Sequence, residues 1–367
     1  MLARLFYSLF VLPFLIHPAG AFASEVRYAP PFDIEARRAI FGTPSSMDRC
    51  PPPPPSPGRM EIPGYYENYD EWNRQVKPLY SYLDSLARIT DSYVRQSQRS
   101  PGLASCGLNW LHAWAKEDAL RGSIKGRQGR YARKWASGSI ALSYLKIRDQ
   151  SGLDPEKKKT VEKWIGRLAD VVEDSSTGET SRRNNHAYWN GLANMANGIV
   201  LNQKRLFESG IASYRLALSE MRSNGILPLE LARKEHALHY HNFALSPLIF
   251  IAELAARQGI DLYQEKSRRQ LSPSGEGAAD IHQLVDLVIR SLEDPQYFKK
   301  FSSVNQATRK GKISNHISDP ELTWMELYYA RFKEPRLARF LCRLRPLYNW
   351  RTGGDATLGW GVKDLPC

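Results

Sequence analysis

The chain is poor in the residues that mark most other chemistries. Only four of its 367 residues are cysteines, and none stand as C-x-x-C, so neither a zinc ribbon nor a thioredoxin-type pair is present. There is no Walker A loop, no G-x-G-x-x-G after a strand pattern and no G-x-S-x-G elbow. These absences exclude a P-loop nucleotide site, a dinucleotide fold and an α/β-hydrolase nucleophile. Beyond the opening residues no apolar run reaches the length of a membrane helix. No segment alternates apolar and polar residues long enough to read as a half-buried strand. Negative charge is also in deficit: 38 Asp and Glu face 51 Lys and Arg, a net +13.

What is present begins with MLARLFYSLFVLPFLIHPAGAFASE. Arg4, an apolar run over residues 5–16 broken by Pro13, and Ala21-Phe22-Ala23 read as a secretory signal peptide, residues 1–23, cut after Ala23. The mature protein is then periplasmic or secreted, with no membrane insertion. An oxidising compartment makes disulfides the natural state of an even set of cysteines. Spacing does not fix the connectivity, but pairing by region joins Cys50 to Cys106 and Cys342 to Cys367. A basic surface there draws anionic partners such as acidic polysaccharide, or serves solubility alone. Nucleic acid is not an expected partner, because the chain is exported and carries no recognition motif.

Residues 24–62 read as an extended arm containing CPPPPPSPG, a polyproline II segment pinned at Cys50. A stretch rich in aromatics follows, with Tyr65, Tyr66, Tyr69 and Trp72. It reads as a lid near 60–75, a platform for sugar rings, or a loop whose rings pack on the body. From there to residue 367 the apolar spacing is helical. Leu108, Leu111, Trp114 and Ala115 share one face, and so do Val161, Trp164, Ile165, Leu168 and Val172. Further helices are expected at 79–97, 131–147, 188–204, 207–222, 241–257, 279–293 and 319–332. Short polar loops between them argue an all-α fold of stacked helical hairpins. Without a fixed-period repeat, a closed toroid is more natural than an open solenoid.

Two polar clusters carry the chemistry. In SRRNNHAYWNG, residues 181–191, Asn184 or Asn185 caps a helix whose free N–H groups suit an anion, and His186 beside it can donate a hydrogen bond or accept a proton. A cap with a surface histidine is the structural alternative. In LPLELARKEHALHYHNFAL, residues 227–245, Arg233 and Tyr240 stand seven apart. On a single helix they lie within about 20° of one face and about 10.5 Å apart along the axis. His236, His239 and His241 invite a zinc reading. However, Glu235 precedes the histidines instead of following the first as HExxH requires, so no metal is expected. Gln128 and Trp135, within the cationic stretch 122–135, read as a cleft edge able to touch a sugar chain, although a lone Trp at helical spacing is more often core.

These residues together resemble a known family. Asn184-Asn185-His186-Ala187-Tyr188-Trp189, Cys106-Gly107-Leu108-Asn109-Trp110-Leu111, Arg133-Lys134-Trp135-Ala136-Ser137-Gly138-Ser139, the run from Ala237 to Leu245, and Gly353-Gly354-Asp355-Ala356-Thr357 are similar to the periplasmic alginate lyases of polysaccharide lyase family 5. The likeness covers about residues 100–360. It implies an (α/α) toroid and cleavage of poly-mannuronate by β-elimination, without metal or cofactor, by a chain expected to act as a monomer. It places catalysis on Asn185, His186, Arg233 and Tyr240, and substrate contacts on Gln128, Trp135 and Arg351. It also implies a disulfide between Cys50 and Cys106. Two features depart from the family. Tyr65-Tyr66 stands where its lid carries a cation beside a tyrosine, and Cys342 and Cys367 lie outside its pattern. Polyglucuronate or another polyuronate is therefore an alternative substrate, with the lid a place where that choice is made.

Elimination from a 4-linked uronate removes the C5 proton, which is weakly acidic while the C6 carboxylate is charged. Asn185 and Arg233 suit neutralising that carboxylate. A phenol of ordinary pKa near ~10 is too weak a base at rest, so Tyr240 needs Arg233 and an imidazole nearby. Either Tyr240 carries the proton alone, or His186 is the base and Tyr240 the acid. A hydrolase needs two carboxylates across one bond, and no acid stands in an evident role near either cluster. A polyuronate-binding protein without catalysis is the remaining rival.

Overall fold

The apolar spacing does its work as helices. The computed structural model describes residues 27–43, 50–55, 58–59, 69–96, 101–124, 126–173, 179–267, 277–294, 296–306 and 319–367. Thirteen α-helices run through these residues: α1 Ile34–Phe41, α2 Tyr69–Arg95, α3 Pro101–Lys116, α4 Gly126–Ile147, α5 Pro155–Glu173, α6 Asn185–Leu201, α7 Lys204–Glu220, α8 Pro228–Leu231, α9 Ala237–Ala256, α10 Ile281–Glu293, α11 Trp324–Phe332, α12 Pro335–Leu344 and α13 Ala356–Trp360. The signal peptide and the lid residues Tyr65 and Tyr66 lie outside the described residues. Lid positions 69–75 form the opening turns of α2.

The helices make two concentric layers. Contacts run α2–α4–α6–α9–α11–α13 and return from α13 to α2, closing an inner ring. Outside it, α3 packs on α2, α4 and α5, α7 on α6 and α9, α10 on α9, and α12 on α11. This is the (α/α) toroid. Composition sorts the layers. Inner α6 and α9 are buried along nearly their whole length, because they are covered on the outer side and crowded on the inner. Outer α10 buries one stripe, Ile281, Leu284, Val285, Val288, Ile289 and Leu292, at the spacing of a one-sided helix.

Several elements differ from the sequence reading. The arm is not wholly extended: Asp33 caps the two-turn helix α1, which packs on α2 and α13 and is too short to show a period. Helix α2 starts ten residues before position 79, with Pro78 inside it. A two-residue ladder, β1 Tyr348–Asn349 with β2 Gly354–Asp355, is the sheet found among the described residues.

Both disulfides form by region, Cys50–Cys106 and Cys342–Cys367. The first fixes the proline run against α2 and α3. There Trp110 Nε1 donates to the Pro51 carbonyl at 2.8 Å and Tyr82 stacks on Trp114 at 3.5 Å.

Candidate active site

Three consecutive inner helices, with the turn that carries Arg351, bring the site together. On α4, Gln128, Tyr131 and Trp135 fall at i, i+3 and i+7 and remain partly exposed on one face. At the start of α6, Asn184 is the cap: its side chain accepts from the His186 main-chain N–H at 3.0 Å. The imidazole of His186 then lies flat on Tyr131, with ring centres 3.6 Å apart and planes 10° apart. On α9, His239, Tyr240 and Phe243 form a third face. Phe243 ties the faces together, 6.0 Å from Trp135, 5.1 Å from Trp189 and 6.4 Å from Tyr240.

Arg233 and Tyr240 meet by another route than a shared helix. The chain breaks at Lys234, which holds a left-handed φ of 55°, and α9 begins only at Ala237. Gln306 clamps the break, accepting from Leu238 N–H at 2.9 Å and donating to the Lys234 carbonyl at 3.2 Å. The fold-back removes the axial separation an unbroken helix would impose. The Arg233 guanidinium lies over the Tyr240 ring, 4.7 Å from its centre.

The expectation that no acid serves either cluster is overturned. Glu230 on α8 is fully buried and receives the Asn185 main-chain N–H at 2.6 Å and the Asn185 side-chain amide at 2.9 and 3.0 Å. Arg233 Nε lies 3.8 Å from it. Burial pushes its carboxyl up from the ordinary range, while the Asn185 bonds and Arg233 pull it down. In sequence its signal was faint: one acid in the apolar run ILPLELA, three residues before an arginine. Asn185 is accordingly fully buried with its amide nitrogen engaged by Glu230, so it braces Glu230 and Arg233 instead of standing open. A second acid, Glu321, approaches His239 Nδ1 at 3.3 Å.

Electrostatics favour an uncharged imidazole. His186 is 9% exposed, and burial first, then Lys134 and Arg233, hold its pKa well below the usual histidine range. Arg351 occupies the turn before β2, its guanidinium 4.8 Å from the Trp135 ring centre and 4.7 Å from that of Trp350. Burial lowers its pKa, yet a guanidinium stays protonated at any working pH. His241 is a pin in the fold: its Nδ1 meets the Ala237 carbonyl at 2.7 Å and its Nε2 accepts the Leu227 N–H at 3.0 Å. Both ring nitrogens are thus occupied, leaving none for a metal. His236 is exposed, 3.8 Å from Glu235.

The alginate lyase family model matches residues 56–298, two thirds of the chain. The chain belongs to the alginate lyase family. An alginate lyase of Pseudomonas fluorescens is 31% identical over 356 residues, covering 92% of this chain and 91% of that one. A polysaccharide lyase of Stenotrophomonas maltophilia is 31% identical over 332 residues, 87% and 93% of the two chains. Among solved structures, alginate lyase A1-III as a tyrosine-to-phenylalanine variant complexed with a tetrasaccharide superposes with a TM-score of 0.77 at 29% identity, covering 91% of this chain and 95% of that one. A histidine-to-alanine variant of the same enzyme, also complexed with tetrasaccharide, has the same TM-score at 28% identity, with 92% and 96% covered. Relatives within the family thus share this toroid over nearly the whole chain.

Proposed function

We propose that this member of the alginate lyase family is a periplasmic or secreted polysaccharide lyase that cleaves 4-linked polyuronate, poly-β-D-mannuronate above others, by β-elimination. The observation that carries it is the guanidinium of Arg233 held over the phenol of Tyr240, with the uncharged His186 on the neighbouring helix. The two solved relatives with bound tetrasaccharide lack one tyrosine hydroxyl and one histidine ring, the two side-chain types that Tyr240 and His186 supply here.

The chemistry follows from these groups. In mannuronate the C5 proton and the leaving oxygen on C4 lie on one face of the ring, so a single group can serve both. Tyr240, as phenolate, takes the C5 proton. The electron pair moves into the carboxylate as an enolate, then forms the C4–C5 double bond as the C4–O bond breaks. The departing oxygen takes the proton back from Tyr240, which regenerates the phenolate. Arg233 stabilises the phenolate and the developing enolate. Glu230 and Asn185 hold that guanidinium in place. The neutral His186 keeps a ring N–H to donate to the sugar carboxylate. Gln128, Trp135 and Arg351 bind the adjoining sugars, with Trp135 offering a ring face and Arg351 a cation. Tyr65 and Tyr66, outside the described residues, are proposed as further substrate contacts on the strength of the sequence.

Incubation with poly-mannuronate, poly-guluronate, polyglucuronate and hyaluronan, followed by ultraviolet absorbance of the unsaturated end, tests the proposal. Poly-mannuronate is expected to react fastest. A faster reaction with polyglucuronate would overturn the specificity, and no absorbance with any polymer would overturn the lyase reading.

A further inference from the structure

Lys134 is buried, 3% exposed, on the inner-ring helix α4. An ammonium placed so deeply ordinarily brings a carboxylate with it. Lys134 has none: among the described residues, its polar contacts are the His186 main-chain carbonyl at 2.9 Å and the Tyr131 ring, 5.5 Å from its centre. Both partners belong to the same small assembly, since the His186 imidazole is stacked on Tyr131. Three residues at i and i+3 of α4 and the start of α6 thus form one unit in which a buried cation grips the main chain of the imidazole-bearing residue.

The other charged and titratable groups around this unit have partners of their own. Glu230 and Arg233, from the segment before α9, are occupied with Asn185, Tyr240 and each other. On α9, His239 pairs with Glu321, and the Tyr240 ring lies under Arg233. On α2, the Asp91 carboxylate holds Lys146. Arg351 lies between Trp135 and Trp350. Among the described residues, none of these carboxylates pairs with Lys134.

We infer that Lys134 is a positioning residue of the active site: its ammonium fixes the His186 main chain at the mouth of α6, and its charge adds to burial in disfavouring a second positive charge on the His186 imidazole. This rests on the assignment of His186 given above. Burial lowers the Lys134 pKa to about 7, so the amine is largely protonated throughout the range, below the ordinary histidine value, in which His186 would gain a proton. The sign follows. A cation beside an imidazole lowers its proton affinity, so removing the cation raises the histidine pKa toward its unperturbed value, and the neutral form is lost at a higher pH.

The test uses the mature chain as wild type, Lys134→Met, Lys134→Gln and Lys134→Arg, each checked for fold by circular dichroism. The readout is the His186 ring titration by NMR. In the Met and Gln variants the midpoint is expected to rise by about one pH unit, the size of a partly screened neighbouring charge. Lys134→Arg is expected to keep the wild-type midpoint. A His186 titration unchanged in Lys134→Met or Lys134→Gln, or raised in Lys134→Arg, overturns the inference. If neither charge-removing variant folds, Lys134→Arg and wild type still decide, since a wild-type His186 midpoint at or above the ordinary value also overturns it. The NMR readout needs no turnover, so its failure is distinguishable from failure of the lyase assignment.

Discussion

At the scale of single residues, the site is a balance of charges, each held by a named neighbour. Arg233 faces Tyr240 on one side and Glu230 on the other. Glu230 in turn accepts three hydrogen bonds from Asn185. Tyr240→Phe removes the proton carrier while keeping the ring under Arg233. His186→Ala removes the donor and empties the face of Tyr131. Tyr240→Phe is expected to lower kcat by roughly two to four orders of magnitude, the range for a removed proton-transfer group, and His186→Ala by roughly two to three, the range for a lost donor at developing charge, with the melting temperature little changed. A variant of either kind that turns over poly-mannuronate at near wild-type rate contradicts the assignment. Asn185, His186, Arg233 and Tyr240 were legible as a set because their residue types matched an elimination and a family pattern. Glu230 and Lys134 were not. A lone acid in an apolar run and a lysine in a basic stretch carry no local sign of burial, which comes from helices far away in sequence.

At the scale of elements, the inner helices α2, α4, α6, α9 and α11 were legible from helical apolar spacing, whereas the five-residue α13 is too short to show one. Their ends were less so. The break before α9 is set by Gln306, 68 residues beyond the Leu238 it contacts, and no property of residues 227–245 reveals it. The turn that presents Arg351 is a similar case. Lys146 donates to both the Asp91 carboxylate and the Gly353 carbonyl, Asp91 accepts from Asp355 N–H at 2.9 Å, and Arg95 pairs with Asp355 at 2.6 Å. Gly354 sits against Asp91 with a φ of 122°, and a Cβ there would overlap the carboxylate. Gly354→Ala is therefore expected to destabilise the chain by about 2 kcal/mol or more and to move Arg351. The check is a melting temperature lower by several degrees, together with a raised KM for oligosaccharide. A variant with wild-type values for both would show that this turn does not set Arg351.

At the scale of the molecule, the fold is a closed double ring of helices, the full sequence has a net charge of +13, and the substrate is expected to be a polyanion. Exposed cations steer such a chain through a field that salt screens over about 10 Å at 0.1 M. KM for polymer is expected to rise several-fold between low salt and a few tenths molar while kcat changes little. A KM flat across that range would remove steering from the account. The stacked helical hairpins were readable from helical spacing and short loops, whereas the closure of the ring, from α13 back to α2, rests on the chain's last helix returning to its first long one. The central claim is elimination at Tyr240, and the mass of the product tests it most directly. Poly-mannuronate digested by the wild-type chain should yield oligosaccharides one water lighter than hydrolysis gives, with an unsaturated ring at the new non-reducing end, and the Tyr240→Phe digest should contain almost none. Products carrying the added water, or an equal yield of unsaturated ends from Tyr240→Phe, would contradict it.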